Sequence, residues 1–278
     1  MSGCILRSSR VALTDLMPQK RARTNKMLIS TMLLDIEGTT TPVDFVYKIL
    51  FPYARVRLKD FITRHKADED VRAVVADLLA ARAQDKSADL PPLHYSYSLG
   101  EGQMEDIVAY CHWLMDHDRK LTPLKTLQGM IWEKGYRSGE LKAVVFPDVA
   151  PNLRRWREQG KAVCIYSSGS VLAQKLLFEH TEQGDLTKFI YDFFDTTVGH
   201  KTEHGSYRRI AESVRRKPSE ILFISDVIAE LDAARSAGFQ TLLCARPGNS
   251  PLPDSSVHHI IHTFDEASAL DRKMNLKG

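Results

Sequence analysis

Short, unbroken apolar runs recur along this chain, and helical patterns fill most of the spaces between them. The runs are "TMLL" (31–34), "KAVCIY" (161–166), "EILFIS" (220–225) and "TLLCA" (241–245), with "VHHII" (257–261) as a weaker fifth. A strand covered on one face alternates apolar and polar positions. A run that is apolar throughout predicts a strand buried on both faces, as in a parallel sheet between helices. "PDVAPNLRRWREQG" (147–160) opens on Pro and Asp and closes on Gly, which are helix start and stop signals. "SVLAQKLLFEH" (170–180) carries a serine suited to cap its N-terminus, and 206–216 and 228–238 have helical spacing too. Strand and helix in alternation predict an α/β fold built on an open, Rossmann-like parallel sheet.

Residues 44–145 interrupt the alternation and read as helix almost throughout. Val71, Val74, Val75, Leu78 and Leu79 fall on one helical face, as do Ile107, Cys111, Leu114 and Met115. The loop "SADLPPLHYSYSLGEG" (87–102) separates two helical pairs. An insert of this length is domain-sized. The expected division is therefore an α/β core made of 27–43 and 146–265, a helical insert at 44–145, and a tail at 1–26.

Charge refines this division. Residues 1–26 hold six cations against Asp15, a charge of +5 out of a total of +3, which leaves −2 for everything else. A near-neutral body is a poor fit to nucleic acid. The tail lacks periodicity and is expected to be disordered; it could be an Arg-rich transit peptide or, through "QKRAR", a nuclear signal, with an inert extension preferred. No apolar run approaches the roughly 18 residues of a membrane helix. Cys4, Cys111, Cys164 and Cys244 form no C-x-x-C pair, so buried free thiols in a reducing compartment are expected. Nothing suggests a coiled coil or a large apolar stripe, so a monomer is expected, cytoplasmic, with nuclear entry left open by the tail.

Three loops follow apolar strands and carry chemistry: "DIEGTTTP" (35–42), "SSGS" (167–170) and "SDVIAE" (225–230). Open α/β sheets bind ligands outside the carboxyl ends of their strands. If the three strands are neighbours, Asp35, Ser167, Ser168 and Asp226 meet at one rim, with Lys201 of "TTVGHKTEHG" as a fourth contributor. Asp35 and Asp226 are hard oxygen ligands from separate loops and suit Mg²⁺ together with waters and a substrate phosphate. Ser167, Ser168 and the amides at a helix start can hold phosphate oxygens, and Lys201 adds a compact positive charge. Asp35 could then attack phosphorus, and Glu37 could protonate the leaving oxygen and activate water. Each member has an ordinary reading: an acid after a strand as a turn former, a serine cluster as a loop, Lys201 as a surface lysine, Glu230 as helix support or as a second carboxylate beside the metal. The ordered set is far more specific than any one of them.

In that order, "LLDIEGTT", "IYSSGS", "GHK" and "FISDV" resemble the motifs of the haloacid dehalogenase-like phosphatases. With "FVYKILFPYA", "LKTLQGMIW", "FPDVAPNLRRW" and "GHKTEHGSYRRIA", the stretch from about residue 30 to 250 is similar to the bifunctional enolase-phosphatases (acireductone synthases) of methionine salvage. The resemblance implies Asp35 as nucleophile and metal ligand, Glu37 in acid–base chemistry with its carbonyl on the metal, and Asp226 completing the Mg²⁺ ligands. It further implies Ser167, Ser168 and Lys201 on the phosphorylated substrate, with the insert as a closing cap. Most of the wider superfamily carries Asp-x-Asp where this chain has Asp35-x-Glu37. The implied substrate is a phosphorylated diketone, 2,3-diketo-5-methylthiopentyl 1-phosphate, enolised and then dephosphorylated. The enolisation base is open between Glu37 and a carboxylate or histidine of the cap. Phe45, Trp113 and Trp132 are candidates to contact the methylthio group, with packing inside the helical bundle as the preferred reading for each. Two competing readings are a monofunctional capped phosphatase and a phospho-accepting receiver; the receiver's usual acidic pair on an earlier strand is missing here.

Overall fold

The computed structural model describes residues 29–93, 101–251 and 256–276. The basic tail, Cys4 and the middle of the 87–102 loop lie outside the described residues. Six parallel strands form one sheet: β1 (Thr31–Leu34), β2 (Ala162–Tyr166), β3 (Asp192–Phe194), β4 (Ile221–Ser225), β5 (Gln240–Cys244) and β6 (His259–Ile261), in the spatial order β3-β2-β1-β4-β5-β6. The four strong apolar runs and the weaker fifth are all strands. Strand β3 was not expected from the sequence, because its three residues at the sheet edge are too few to register as a run.

β1 is central, with Leu33 opposite Cys164 of β2 on one side and Phe223 of β4 on the other. Its side chains alternate between two cores. Met32 and Leu34 join Val163, Ile165, Leu222 and Ile224 on one face, while Leu33 joins Cys164, Tyr166 and Phe223 on the other. Burial of both faces explains why the strand sequences show no polar alternation.

From the end of β1 the chain enters α1 (Val43–Phe45), a π-helical turn at Val46–Leu50, and the helices α2 (Phe51–Arg64), α3 (Glu69–Gln84), α4 (Glu101–Asp116) and α5 (Thr122–Ser138). The last four share an apolar interior of Leu58, Val74, Leu78, Cys111, Leu114 and Leu127. The expected faces of α3 and α4 are the ones that point into it. The chain returns through α6 (Val149–Glu158), α7 (Val171–Glu179), α8 (His204–Ser213), α9 (Ile228–Ser236) and α10 (Phe264–Leu276). Leu153 and Trp156 of α6, Leu176 of α7 and Phe264 of α10 cover one sheet face; Tyr207 and Ile210 of α8 and Leu231 of α9 cover the other. Helix α10 was not foreseen. Cys111, Cys164 and Cys244 are free and buried, as their apolar surroundings suggested, and burial pushes each thiol up to about 12. No helix among the described residues is long and apolar enough to cross a membrane.

Candidate active site

β2, β1 and β4 are adjacent, so the loops after them open on one rim, and the side chains singled out in the sequence gather there. Asp35 ends β1 and is almost fully buried. Its Oδ1 accepts from Lys201 Nζ at 2.6 Å and from the Ile36 N–H at 2.8 Å, and its Oδ2 accepts from the Ser225 hydroxyl at 3.2 Å. Ser167 ends β2; its hydroxyl lies 3.5 Å from Glu37 Oε2 and accepts from the Gly169 N–H at 3.1 Å. Ser170 caps α7 through the Ala173 N–H, as expected. Ser168, Asp226 and Lys201 line the same cavity of about 810 Å³.

The threonines after Asp35 close the loop. The N–H groups of Thr39, Thr40 and Thr41 converge on the Ile36 carbonyl at 3.2, 2.9 and 2.9 Å, and the Thr40 hydroxyl donates to the Asp35 carbonyl at 3.1 Å. Gly38 turns this loop at φ +69°, and a Cβ there would fall on the Asp226 carboxylate and 2.9 Å from Asn249 Oδ1. The first and last loops of the site therefore abut. Gly38→Ala should lose stability twice over, through the left-handed backbone, about 1–2 kcal/mol, and through overpacking, about 1–3 kcal/mol. Gly139→Ala, at φ +77° with open space around it, carries only the first term. Urea unfolding should rank Gly38→Ala below Gly139→Ala; equal midpoints would mean that the loops can part freely.

Lys201 is buried between two carboxylates, Asp35 at 2.6 Å and Glu230 Oε2 at 2.7 Å. Burial opposes its charge, but the two anions outweigh it and hold the ammonium above its ordinary value. Glu230 Oε2 lies 3.0 Å from the Ser225 hydroxyl and shares that hydroxyl's one proton with Asp35, and burial, then the charge of Asp35, pushes the Glu230 carboxyl up to about 7. Burial followed by Asp35 likewise raises Asp226 to about 7 and lifts Glu37 above its usual range. Four carboxylates thus crowd a rim that is short of positive charge.

A divalent cation fits that deficit. Among the described residues no three His, Cys, Asp or Glu side chains form a ready cage. The oxygens available are the carboxylates of Asp35 and Asp226, which line one cavity and whose loops abut. Mg²⁺ typically binds through one or two carboxylates while keeping waters for exchange with substrate phosphate, so this donor set suits it.

Glu230, read from the sequence either as helix support or as a carboxylate beside the metal, reaches Lys201 at 2.7 Å and shares Ser225 with Asp35. Two contributors escaped the sequence. Lys125 and Gln128 come from α5, with Lys125 Nζ donating to the Ser168 carbonyl at 2.6 Å. Both lie in the family-like stretch "LKTLQGMIW", but nothing in it distinguishes them from ordinary helix-surface residues. Of the three aromatic candidates, Trp132 lines the cavity and Phe45 and Trp113 do not. Phe45 packs under the sheet core, while Trp113 stacks on Tyr110 and donates to Asp89 at 3.3 Å. The cavity's apolar end is made instead by Val46, Leu50, Phe51, Trp132 and Leu177.

Residues 29–238 match the family of haloacid dehalogenase-like hydrolases. Over 241 residues the chain is 49% identical to the enolase-phosphatase E1 of Synechococcus elongatus, covering 86% of this chain and 97% of that protein. It is 40% identical to the enolase-phosphatase E1 of Persephonella marina, covering 87% of this chain and 100% of that protein. The crystal structure of the UTR4 protein of Saccharomyces cerevisiae superposes with a TM-score of 0.70 at 36% identity, covering 85% of this chain and 99% of that one.

Proposed function

The chain belongs to the haloacid dehalogenase-like hydrolases and, within them, to the enolase-phosphatases E1, and from that membership we propose that it converts 2,3-diketo-5-methylthiopentyl 1-phosphate into 1,2-dihydroxy-3-keto-5-methylthiopentene and phosphate. The observation that carries this reading is the buried Lys201 ammonium, clamped between Asp35 and Glu230 beside Ser167 at the ends of three adjacent strands. That arrangement provides an anionic nucleophile and phosphate-binding groups within one cavity.

In this reading the ester phosphate lies between Asp35 and the Ser167–Ser168 loop. Both oxygens of Asp35 are held by hydrogen bonds, which fixes the carboxylate for attack on phosphorus. The Asp35 oxygen–phosphorus bond forms as the ester oxygen–phosphorus bond breaks. Glu37, whose carboxyl resists ionisation through burial and the nearby Asp35 charge, gives its proton to the leaving oxygen and later takes one from the attacking water. Mg²⁺ held by Asp35, Asp226 and the Glu37 carbonyl would supply the charge that lets a carboxylate approach an anionic ester. Ser167, Ser168 and Lys201 bind the phosphoryl oxygens. Residues 44–145 act as a cap that shuts water away from the enol.

Incubation with the diketo ester and Mg²⁺, following enol absorbance and free phosphate together, tests the reading. Enol absorbance with one phosphate per ester is expected. Phosphate release without enol would favour a monofunctional capped phosphatase on the same fold. Chelation of Mg²⁺ should stop phosphate release, and full activity in EDTA would contradict the metal assignment.

A further inference from the structure

Helix α5 turns one face to the cavity. Lys125, Gln128, Trp132 and Tyr136 all line it, at the three- and four-residue spacings that share a helical face. At a rise of 1.5 Å per residue, Lys125 and Trp132 stand about 10 Å apart along the axis. The polar end lies over the phosphate rim, where Lys125 donates to the Ser168 carbonyl at 2.6 Å. One such bond leaves the ammonium two further protons to donate. Gln128 lines the cavity and is otherwise buried, only 5% exposed. Its primary amide can donate two protons and accept through its oxygen. Trp132 comes next, and its indole N–H is already used on the Leu50 carbonyl at 2.8 Å, so it offers the cavity an apolar ring.

We infer that Lys125 and Gln128 read the vicinal diketone, Lys125 holding the C2 oxygen and Gln128 donating to the C3 oxygen, with the thioether end of the substrate lying toward Trp132. The inference rests on the diketo ester reading above. The order cation, amide, apolar ring along α5 matches the order phosphate-proximal carbonyl, second carbonyl, thioether along the substrate.

The two contacts should act differently. In enolisation a base removes a proton from C1, the C1–H pair becomes the C1–C2 double bond, and the carbonyl pair moves onto the C2 oxygen. Charge therefore grows at C2 oxygen and not at C3 oxygen. An ammonium at the first is worth more in the transition state than before it, and accelerates the step. A neutral amide at the second binds substrate and transition state alike, and lowers KM.

The test uses the full chain with Mg²⁺ and compares the diketo ester with a simple alkyl phosphate that lacks carbonyls. Lys125→Met should lower kcat for enol formation by about 100-fold more than it lowers alkyl phosphate turnover. Gln128→Leu should raise KM for the diketo ester about 10-fold more than for the alkyl phosphate. Lys125→Arg, which keeps the cation, should recover most of the enolisation, and it guards against a Lys125→Met protein that fails to fold. A structural latch between α5 and the Ser168 loop would instead depress both substrates in parallel, and that result overturns the inference, as does no change in either. If the wild-type protein makes no enol, the substrate reading fails and takes this inference with it. Enol from the wild type with unaltered variants removes this inference alone.

Discussion

Asp35→Asn should abolish phosphate release, by a factor of at least about 10⁴, while the protein stays folded. An amide oxygen cannot take the place of a carboxylate as nucleophile, so no acyl-phosphate forms and no binding energy elsewhere makes up the loss. The fold is expected to survive because the hydrogen bonds can be kept. Asn Oδ1 can still accept from Lys201 and from the Ile36 N–H, and its amide can donate to the Ser225 hydroxyl, which faces Oδ2 of Asp35. Lys201 retains Glu230 as an anion, and Glu37 and Asp226 are relieved of the neighbouring charge that raises both. Single-turnover phosphate release and a thermal melt on the same sample check the two halves. Turnover within tenfold of the wild type in the pure variant would remove Asp35 from the nucleophile's role.

The acids at the tip of β1 could be read from the sequence because the strand before them is uniformly apolar. An Asp directly after "TMLL" stands out against a run whose four residues are all buried. The same contrast exposed Ser167 after β2 and Asp226 after β4, and the neighbour order of those strands then brought them together. Strand β3 escaped because Asp192 and Phe193 are only half-buried at the edge. Helix α10 escaped because the described side chains that bring it onto the core, Phe264, Ala267 and Leu270, are too sparse a stripe to stand out. The partners of α5 were hidden for another reason. Lys125 lies 43 residues from Ser168 in the chain, and only the docking of α5 over the sheet rim makes them partners. Spacing within α5 tells which residues share a face, and says nothing about what that face meets. Phe45 and Trp113 follow the core-packing reading preferred for them, and Trp132 departs from it, because aromatic size marks a residue as buried without saying whether it faces a core or a cavity.

Lys201→Met should be damaging in two ways at once. The variant keeps the apolar stem and removes the ammonium that sits 2.6 Å from Asp35 and 2.7 Å from Glu230. Taking one partner from a buried ion pair leaves the other charge uncompensated, at a typical cost of about 3–5 kcal/mol. For a protein of this size that corresponds to a melting temperature lower by roughly 6–20 °C. The lower end is the better expectation, because Glu230 is already held at about 7 with the ammonium present and can take a proton when it goes. Phosphate release should fall by at least about 10²–10³-fold, the usual penalty for losing a preorganised positive group at a reacting centre. A double-mutant cycle separates the electrostatic account from simple loss of packing. Asp35→Asn/Lys201→Met removes the stranded anion as well, so it should melt above Lys201→Met, by about 1–2 kcal/mol in stability. If Lys201→Met melts with the wild type, or if adding Asp35→Asn lowers its stability further, then the three-way clamp of Asp35, Lys201 and Glu230 is not what holds this rim together.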